Sequence, residues 1–213
     1  MAIEPRIRRT RSENKVRTRS DLVSAARSVF LARGFHAAAL DEIAEQAGYT
    51  KGAVYSNFAG KDDLFLAVLA EYYARRAELY ETLIRAADEP EETYRSTARL
   101  MFEAYEREPA WWPLVSDFSS HACRQPELRE RLREAREVFL DALARTIDAL
   151  CMQHEMAFVL SGREVARGVG ALMRGMAVEW AVDPSPDDGR VFEEMLAAYL
   201  RGLVVPSHER STR

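Results

Sequence analysis

Two short stretches of helical periodicity, joined by a glycine, constrain the fold more than any other feature of this chain. They form the segment LDEIAEQAGYTKGAVYSNF, residues 40–58. The apolar residues of its first half recur at the spacing of a helix: Leu40, Ile43, Ala44 and Ala47. Gly48 suits a sharp corner, because glycine adopts a left-handed backbone without steric cost. A second short helix is expected to start after Thr50, a natural N-cap, and to end at Phe58.

The rest of the chain also has the periodicity of helices and predicts an all-α fold. No stretch alternates apolar and polar residues with enrichment in β-branched types, so no strand is predicted. Gly34 is expected to stop the first helix, and Ser161 with Glu164 has the pattern of a capping box. The predicted helices, about nine in all, cover approximately residues 18–33, 40–47, 51–57, 61–86, 90–107, 110–118, 126–149, 162–182 and 189–204.

The composition is that of an ordinary globular protein, with 47% hydrophobic and 30% charged residues. No apolar run approaches the length that spans a bilayer, so no membrane partner is expected. The basic N-terminal region lacks the apolar segment of a signal peptide and the periodicity of an organelle transit peptide, which favours a cytoplasmic location. Cys123 and Cys151 are expected to be reduced thiols; the alternative, a redox-sensing pair, has no supporting spacing.

Charge is distributed unevenly along the chain. Residues 1–63 hold 11 Lys+Arg against 8 Asp+Glu, whereas residues 64–213 hold 19 against 26. A basic start on an acidic body favours a polyanionic partner for the start alone. In this interpretation arginines such as Arg9 and Arg11 reach a groove or phosphates of a nucleic acid; in the alternative they belong to a solvated tail.

Residues 18–66 resemble the DNA-binding head of the TetR family of transcriptional repressors. The resemblance rests on three motifs in the same order, LVSAARSVFLARGF, AGYTKGAVYSNF and GKDDLF, and covers about a quarter of the chain without gaps. It implies a helix–turn–helix head and a C-terminal helical bundle. The expected parts are a basic flexible arm at 1–17, a helix–turn–helix domain at 18–63, a ligand-sensing and dimerisation domain at 64–204 and a polar tail at 205–213.

The resemblance also implies which residues contact DNA. The phosphate-contacting positions are Thr50, Tyr55, Asn57 and Lys61, and the positions that approach base edges are Lys51, Gly52 and Ala53. Gly52 costs a helix about 1 kcal/mol, which suggests close approach by DNA. Two alternatives stay open: Tyr55 as a half-buried packing residue, and Lys61 as the partner of nearby carboxylates. The chain departs from the family pattern where members often carry Ser or Thr before the first motif helix, since Ala38 and Ala39 stand there, and Asn57 replaces a frequent His.

The last two predicted helices suit dimerisation. One short recognition helix binds weakly, and dimers gain affinity from two half-sites about one helical turn apart. In the TetR family the corresponding helices pair with those of a second subunit as a four-helix bundle. The alternative is that their apolar faces form only the core of one subunit. The expected interface residues are Val169, Leu172, Met176, Phe192, Met195 and Tyr199.

Bulky apolar and amphipathic residues are frequent in the middle of the chain. The resemblance implies a ligand cavity between the helix that starts at Lys61 and the helices behind it, for a largely apolar small-molecule inducer with one polar anchor. Tyr105, His121 or Arg124 could supply that anchor. For any single residue the alternative is an ordinary core position. The candidate ligand-binding residues are Met101, Phe102, Tyr105, Trp111, Trp112, Phe118, His121, Met173 and Trp180.

These features together predict a ligand-responsive repressor that binds a palindromic operator in double-stranded DNA as a homodimer, with no cofactor. The inducer is expected to favour a conformation that no longer fits two adjacent grooves. A cofactor-free helical enzyme and a ligand carrier without DNA binding are the alternatives. The sequence has no glycine-rich phosphate loop, HExxH, CxxC or nucleophile elbow, and its four His are scattered without metal-ligand spacing. Both alternatives predict that the purified protein ignores DNA at physiological salt.

Overall fold

The computed structural model describes residues 11–86 and 88–206, which form nine helices and two short strands. The fold is therefore all-α, as predicted. The elements in chain order are α1 (Arg11–Ala37), α2 (Leu40–Gln46), α3 (Lys51–Asn57), α4 (Lys61–Arg85), α5 (Pro90–Arg107), α6 (Trp111–Cys123), α7 (Pro126–Gln153), β1 (Met156–Phe158), α8 (Gly162–Val182), α9 (Asp188–Leu203) and β2 (Val204–Pro206).

The chain divides into two compact units, residues 1–69 and 70–213. We predicted the boundary after residue 63, six residues earlier. The difference arises because the first turns of α4 belong to the core of the first unit. Phe65 is fully buried there, with its ring 5.1 Å from that of Phe30 and 5.4 Å from that of Phe35.

Helix α1 corrects one expectation about the N-terminal region. Residues 11–17, predicted as part of a flexible arm, are helical and begin α1. Residues 1–10, including Arg9, lie outside the described part of the chain. Gly34 interrupts the helical path with φ of 75°, as its position in the sequence predicts, and one further turn follows it to Ala37.

Helices α2 and α3 cross at the corner that the sequence predicts. Gly48 has φ of 75°, the left-handed conformation that glycine adopts most readily. Ile43 of α2 and Val54 of α3 are both fully buried. Thr50 occupies the N-cap position of α3, but its side chain makes no capping hydrogen bond, contrary to expectation. The backbone carbonyl of Thr50 accepts from the Ala53 amide at 2.9 Å instead, so this amide already has a partner.

The second unit is a bundle in which α5 packs along α9 and α7 packs along α8. The predicted capping box is confirmed at the start of α8, where Ser161 and Glu164 satisfy each other's backbone amides. We predicted no strands, but β1 and β2 form an antiparallel pair in which Ala157 faces Val205. Three residues are too few to show a period of two in a sequence, which explains why this pair was missed.

Candidate functional sites

Helix α3 buries one face in the first unit and exposes the other. Val54 is completely buried and Phe58, at the C-cap, is almost so. Lys51, Gly52 and Tyr55 are exposed, and Tyr55 keeps 54% of its surface accessible. The alternative of Tyr55 as a packing residue therefore loses support. A large aromatic side chain held on an exposed helix face is suited to contact a partner molecule.

Lys51 lies at the first position of α3 with its ammonium group 2.9 Å from a carboxylate oxygen of Asp41. The hydrogen bond and the charge of Asp41 raise the pKa of Lys51, so the ammonium stays protonated. More than half of each side chain is exposed. Exposed ion pairs contribute only about 0–1 kcal/mol, so this ammonium can exchange Asp41 for another anion at low cost.

No contact within the described chain explains why residue 52 is a glycine. A β-carbon built at this position meets only the Thr50 hydroxyl, at 3.6 Å, which is ordinary van der Waals contact. Its φ is not in the left-handed region that favours glycine. Ala53, the next residue, is half-buried. Neither packing nor backbone geometry within the described chain therefore requires a glycine at this position.

Asn57 and Lys61 are more committed to the fold than the sequence suggested. The Asn57 side-chain amide donates to the carbonyl of Ala53 at 2.8 Å. The Lys61 ammonium donates to the carbonyls of His36 and Ala38, at 2.9 and 3.2 Å. Lys61 therefore satisfies carbonyls that follow the kink in α1, rather than the carboxylates considered above. Both side chains therefore stabilise backbone segments that fix the position of α3.

Arg19 is a residue that the sequence reasoning missed. Its guanidinium donates to the backbone carbonyl of Asn57 at 3.0 Å and lies 4.3 Å from the ring centroid of Phe58. It therefore satisfies a carbonyl at the C-terminal end of α3 from the surface of α1. A contact across 38 residues leaves no local signal in the sequence.

The second unit contains a cavity of about 150 Å³ lined by residues from α4 to α9. Of the nine candidate ligand-binding residues, Met101 and Trp112 line it and the other seven do not. No residue among the three proposed anchors lines it either. The lining comprises Tyr72, Tyr73, Arg76, Tyr80, Ile84, Thr93, Tyr94, Thr97, Met101, Trp112, Val115, Ser119, Arg136, Phe139, Leu140, Leu143, Ile147, Leu150, Phe158, Val165, Ala166, Arg167, Val169, Gly170, Arg174 and Leu200.

Three of the seven candidate ligand-binding residues that do not line the cavity form an aromatic cluster elsewhere in the second unit. The Trp180 ring lies 5.0 Å from Phe102, 4.9 Å from Tyr105 and 5.3 Å from Phe192. Phe102 in turn packs against Gly189, where a β-carbon would lie 2.8 Å from the phenyl ring. These rings fill the space between α5, α8 and α9 and are core residues, the alternative that the sequence left open.

The remaining misplaced candidates have structural partners as well. Trp111, Phe118 and Met173 are buried in the core of the second unit, and the Trp111 ring stacks at 4.2 Å on that of Tyr72. The His121 imidazole lies 2.9 Å from the side-chain nitrogen of Gln125, one turn along the chain. Helical periodicity identifies residues that point inward, but it does not distinguish those that meet a neighbour from those that meet a void.

The cavity wall that the sequence missed includes four tyrosines and four arginines. Burial raises the pKa of Tyr73, Tyr80 and Tyr94, that of Tyr94 to about 12, so these phenols are neutral at physiological pH. Arg76 lies over the Tyr72 ring at 5.2 Å. Arg136 and Arg174 are half-buried. On α7, Arg136 is four residues from both Leu132 and Leu140, a helical spacing that could have revealed its inward direction.

The six expected dimer-interface residues differ in exposure. Phe192 is completely buried inside its own subunit and cannot contact a second one, which corrects that assignment. Val169 lines the cavity, and Tyr199 is half-buried against Gly168, where a β-carbon would lie 2.1 Å from its hydroxyl. Leu172 and Met176 are half-buried, and Met195 is 40% exposed. The exposed apolar residues of α8 and α9 are Val178, Val182, Val191 and Met195.

Searches of the described residues add two findings about other kinds of site. No group of three or more His, Cys, Asp or Glu in that part of the chain is placed to hold a metal ion. Across the same residues, no helix combines the length and the apolar character needed to cross a bilayer. Cys123 is exposed, Cys151 is buried, and the two are not joined by a disulfide bond.

A helix–turn–helix with an exposed second helix, followed by a separate helical unit with a cavity, defines a class of DNA-binding regulators. The family model for bacterial regulatory proteins of the tetR family matches residues 22–68. The model for the C-terminal part of BetI-type transcriptional repressors matches residues 90–205, more than half of the chain. The chain belongs to the TetR family of transcriptional regulators. This is a family of regulators rather than of enzymes, and its members bind DNA and small molecules.

Curated relatives include both an activator and a repressor. The chain is 28% identical over 172 residues to the HTH-type transcriptional activator FasR of Mycolicibacterium smegmatis, covering 80% of this chain and 75% of FasR. It is also 28% identical over 181 residues to the HTH-type transcriptional repressor BepR of Brucella suis, covering 82% of this chain and 85% of BepR.

Solved structures share the fold. The transcriptional regulator FadR of Bacillus subtilis, solved in complex with stearoyl-CoA, superposes with a TM-score of 0.67 at 19% identity, over 85% of this chain and 96% of FadR. A TetR-family regulator from Mesorhizobium loti superposes with a TM-score of 0.68 at 20% identity, over 92% of this chain and 97% of that one. At these identities the likeness concerns the fold alone.

Proposed function

We propose that this chain is a ligand-responsive transcriptional repressor that binds a palindromic operator as a homodimer in the bacterial cytoplasm. The observation that carries the proposal is helix α3, whose Lys51, Gly52 and Tyr55 are exposed while Val54 anchors the helix from below. A helix held in this way can enter a major groove. The Thr50 hydroxyl makes no capping hydrogen bond and is available to a phosphate, whereas the Ala53 amide is already bonded to the Thr50 carbonyl.

Within this proposal the DNA-contacting residues have different roles. Lys51, Gly52 and Ala53 approach base edges at the start of α3, and Thr50 and Tyr55 contact phosphates. Asn57 and Lys61 have side-chain partners within the fold, so their contribution is to position α3, with phosphate contact as a secondary role. Arg19 joins them as a positioning residue.

DNA binding is tested with a duplex taken from the DNA that flanks the chain's own gene, by fluorescence anisotropy at several salt concentrations. Lys51→Ala is expected to weaken binding by about 1–3 kcal/mol if Lys51 contacts a base, and Tyr55→Phe to reduce affinity across sequences. Arg145→Ala is the matched control, since Arg145 is an exposed arginine of α7 that makes no hydrogen bond or ion pair with any described residue. Equal affinity of the Lys51 and Arg145 variants would contradict the proposed interface.

The proposed dimer interface consists of the exposed apolar residues of α8 and α9 together with Leu172 and Met176. Val182 is 78% exposed, and a bulky aliphatic side chain in that setting gains from contact with a second subunit. Val182→Glu together with Met195→Glu is expected to convert a dimer into a monomer in sedimentation velocity. Met152→Glu is the control, because Met152 is 82% exposed on α7, away from this face. A wild-type monomer at micromolar concentration would end this part of the proposal.

The proposed ligand response acts through α4. This helix is continuous from Lys61 to Arg85, so it begins in the first unit and supplies Tyr72, Tyr73, Arg76, Tyr80 and Ile84 to the cavity wall. A ligand that contacts these residues better in one orientation of α4 shifts the population toward that orientation. Its effect on operator affinity is limited by its difference in affinity for the two states. Release of the duplex by added ligand, in the same anisotropy assay, tests this step.

A further inference from the structure

Three of the four arginines of the cavity wall, Arg76, Arg136 and Arg174, differ from other arginines of the second unit in having no counter-ion among the described residues. Arg95 is paired with Glu193 and Glu194, and Arg163 contacts both Glu137 and Asp141. Arg136 and Arg174, by contrast, form no hydrogen bond and no ion pair among the residues that the structure describes. Arg76 likewise has no carboxylate partner in that part of the chain, only the Tyr72 ring.

Arg136 and Arg174 are close enough to repel each other. Burial lowers the pKa of Arg174, and the neighbouring charge of Arg136 lowers it further. A guanidinium does not lose its proton in a protein, so the repulsion persists in the unliganded cavity. The Tyr73 phenol lies near both groups, and the two positive charges act on its pKa against the effect of burial. A negatively charged hydrogen-bond acceptor bound near both guanidinium groups would offset the repulsion between them.

The other groups at this end of the cavity are also suited to an anion. Tyr73 and Tyr80 keep their phenolic protons, and neither hydroxyl has a hydrogen-bond partner among the described residues. No Asp or Glu from residues 11–86 or 88–206 lines the cavity. Two guanidiniums and a phenol can bind one carboxylate by charge-assisted hydrogen bonds, and arginine does so in a bidentate manner.

Most of the remaining lining residues are apolar, although Thr93, Thr97 and Ser119 also border the cavity. Aliphatic and aromatic side chains from α4, α7, β1 and α8 form this apolar part, among them Ile84, Leu143, Ile147, Phe158 and Val165. A cavity of about 150 Å³ matches one that is known to hold benzene in another protein. It therefore has room for a ring or a short alkyl chain beside the acidic group.

We propose that the cavity binds an amphipathic organic acid, with its carboxylate held by Arg136, Arg174 and Tyr73 and its apolar part among the aliphatic and aromatic residues. This inference rests on the proposed function and names the class of ligand that the second unit senses. Aromatic rings also attract cations, and five of the lining residues are Tyr or Trp. Four arginines in the same wall exclude a cationic ligand by charge repulsion.

The test compares three probes that each contain an eight-carbon chain and differ in the charge of the head group. Sodium octanoate, 1-octanol and octyltrimethylammonium are titrated into the full chain without DNA, with tryptophan fluorescence and calorimetry as measurements. Octanoate is expected to bind at least about tenfold more tightly than octanol, the difference that charge-assisted hydrogen bonds supply. Equal binding of octanol, tighter binding of the ammonium compound, or no binding of octanoate at millimolar concentration would each overturn the proposal.

Arginine variants locate the carboxylate. Arg136→Gln and Arg174→Gln are each expected to remove most of the preference for octanoate over octanol, while Arg145→Gln retains it. Each cavity variant should also unfold at the same temperature as the wild type or higher, because it removes a repulsion. Retention of the preference in both cavity variants would contradict the assignment.

A separate measurement distinguishes this inference from the proposed function. Octanoate is added to the complex with the operator duplex. Tight octanoate binding without release of DNA would refute the ligand response and leave the organic acid site intact. Release of DNA by a neutral or cationic compound, with no binding of octanoate, would support the ligand response and refute the organic acid site.

Discussion

Charged side chains have different environments in the two units of this chain, and this difference distinguishes the two proposed binding sites. On the surface of the first unit Lys51 is paired with Asp41 and Arg33 with Glu42, in exposed contacts that water screens. In the cavity of the second unit Arg136 and Arg174 face each other with no counter-ion among the described residues. The first arrangement exchanges partners at little cost, as a site for a polyanion requires. The second is unfavourable until a ligand neutralises it.

The two units are also expected to differ in how tightly their aromatic side chains are packed. The substitution with the largest expected effect on stability tests this difference. Phe65→Ala should destabilise the first unit by about 3–5 kcal/mol, because the ring is fully buried against Phe30 and Phe35. Phe139→Ala should cost clearly less, since Phe139 borders a cavity and its loss only enlarges an existing space. Urea unfolding followed by circular dichroism measures both. A cost for Phe139→Ala equal to that of Phe65→Ala would show that the cavity wall is packed as tightly as the head.

Gly168 provides the next largest effect, within the second unit. A β-carbon there would lie 2.1 Å from the Tyr199 hydroxyl, so Gly168→Ala should cost about 1–3 kcal/mol through overpacking of α8 against α9. Tyr199→Phe removes the hydroxyl and should recover part of this loss in the double variant. The thermal unfolding temperatures of the four proteins form the measurement. Strict additivity of the two substitutions would mean that the two side chains do not meet.

Two of the N-cap residues, Ser161 and Thr50, allow a sharper comparison between stability and binding. Ser161→Ala should cost about 1 kcal/mol, because Ser161 closes a capping box with Glu164. Thr50→Ala should leave stability within about 0.5 kcal/mol, because the Thr50 side chain makes no capping bond, yet it should weaken operator binding. Thermal unfolding and DNA anisotropy on both variants check this. A loss of stability in Thr50→Ala as large as that in Ser161→Ala would assign Thr50 to the fold instead.

The same contrast explains how far the sequence predicted the molecule. The bounds of α2 and α3, the corner at Gly48 and the buried Ile43 follow from local periodicity and from one residue with special backbone freedom. Local rules also identified the capping box at Ser161. These features depend on residues within a few positions of each other, so the sequence contains the relevant information.

The cavity depends on contacts between distant residues, and the sequence predicted it poorly. Trp180 and Trp112 have the same apolar character, but Trp180 meets three other rings and Trp112 borders the cavity. The difference depends on which side chains the neighbouring helices place opposite each ring. Arg136 was not among the predicted ligand-binding residues, because arginine usually lies on the surface, although its spacing from Leu132 and Leu140 indicates the apolar face of α7.

Gly52 gives a small expected effect on stability, of opposite sign to the others, and the clearest distinction between fold and function. Gly52→Ala should stabilise α3 by up to about 1 kcal/mol, since alanine is the better helix former and its β-carbon meets only the Thr50 hydroxyl. The same methyl group would stand between α3 and the duplex, so operator affinity should fall while stability rises. Gly202→Ala is the control. Gly202 is an exposed position of α9 with open space around it, so this substitution should leave operator affinity unchanged. Gly52→Ala that binds the operator as tightly as the wild type would show that DNA does not approach this backbone, and the glycine would then lack both an internal and an external reason.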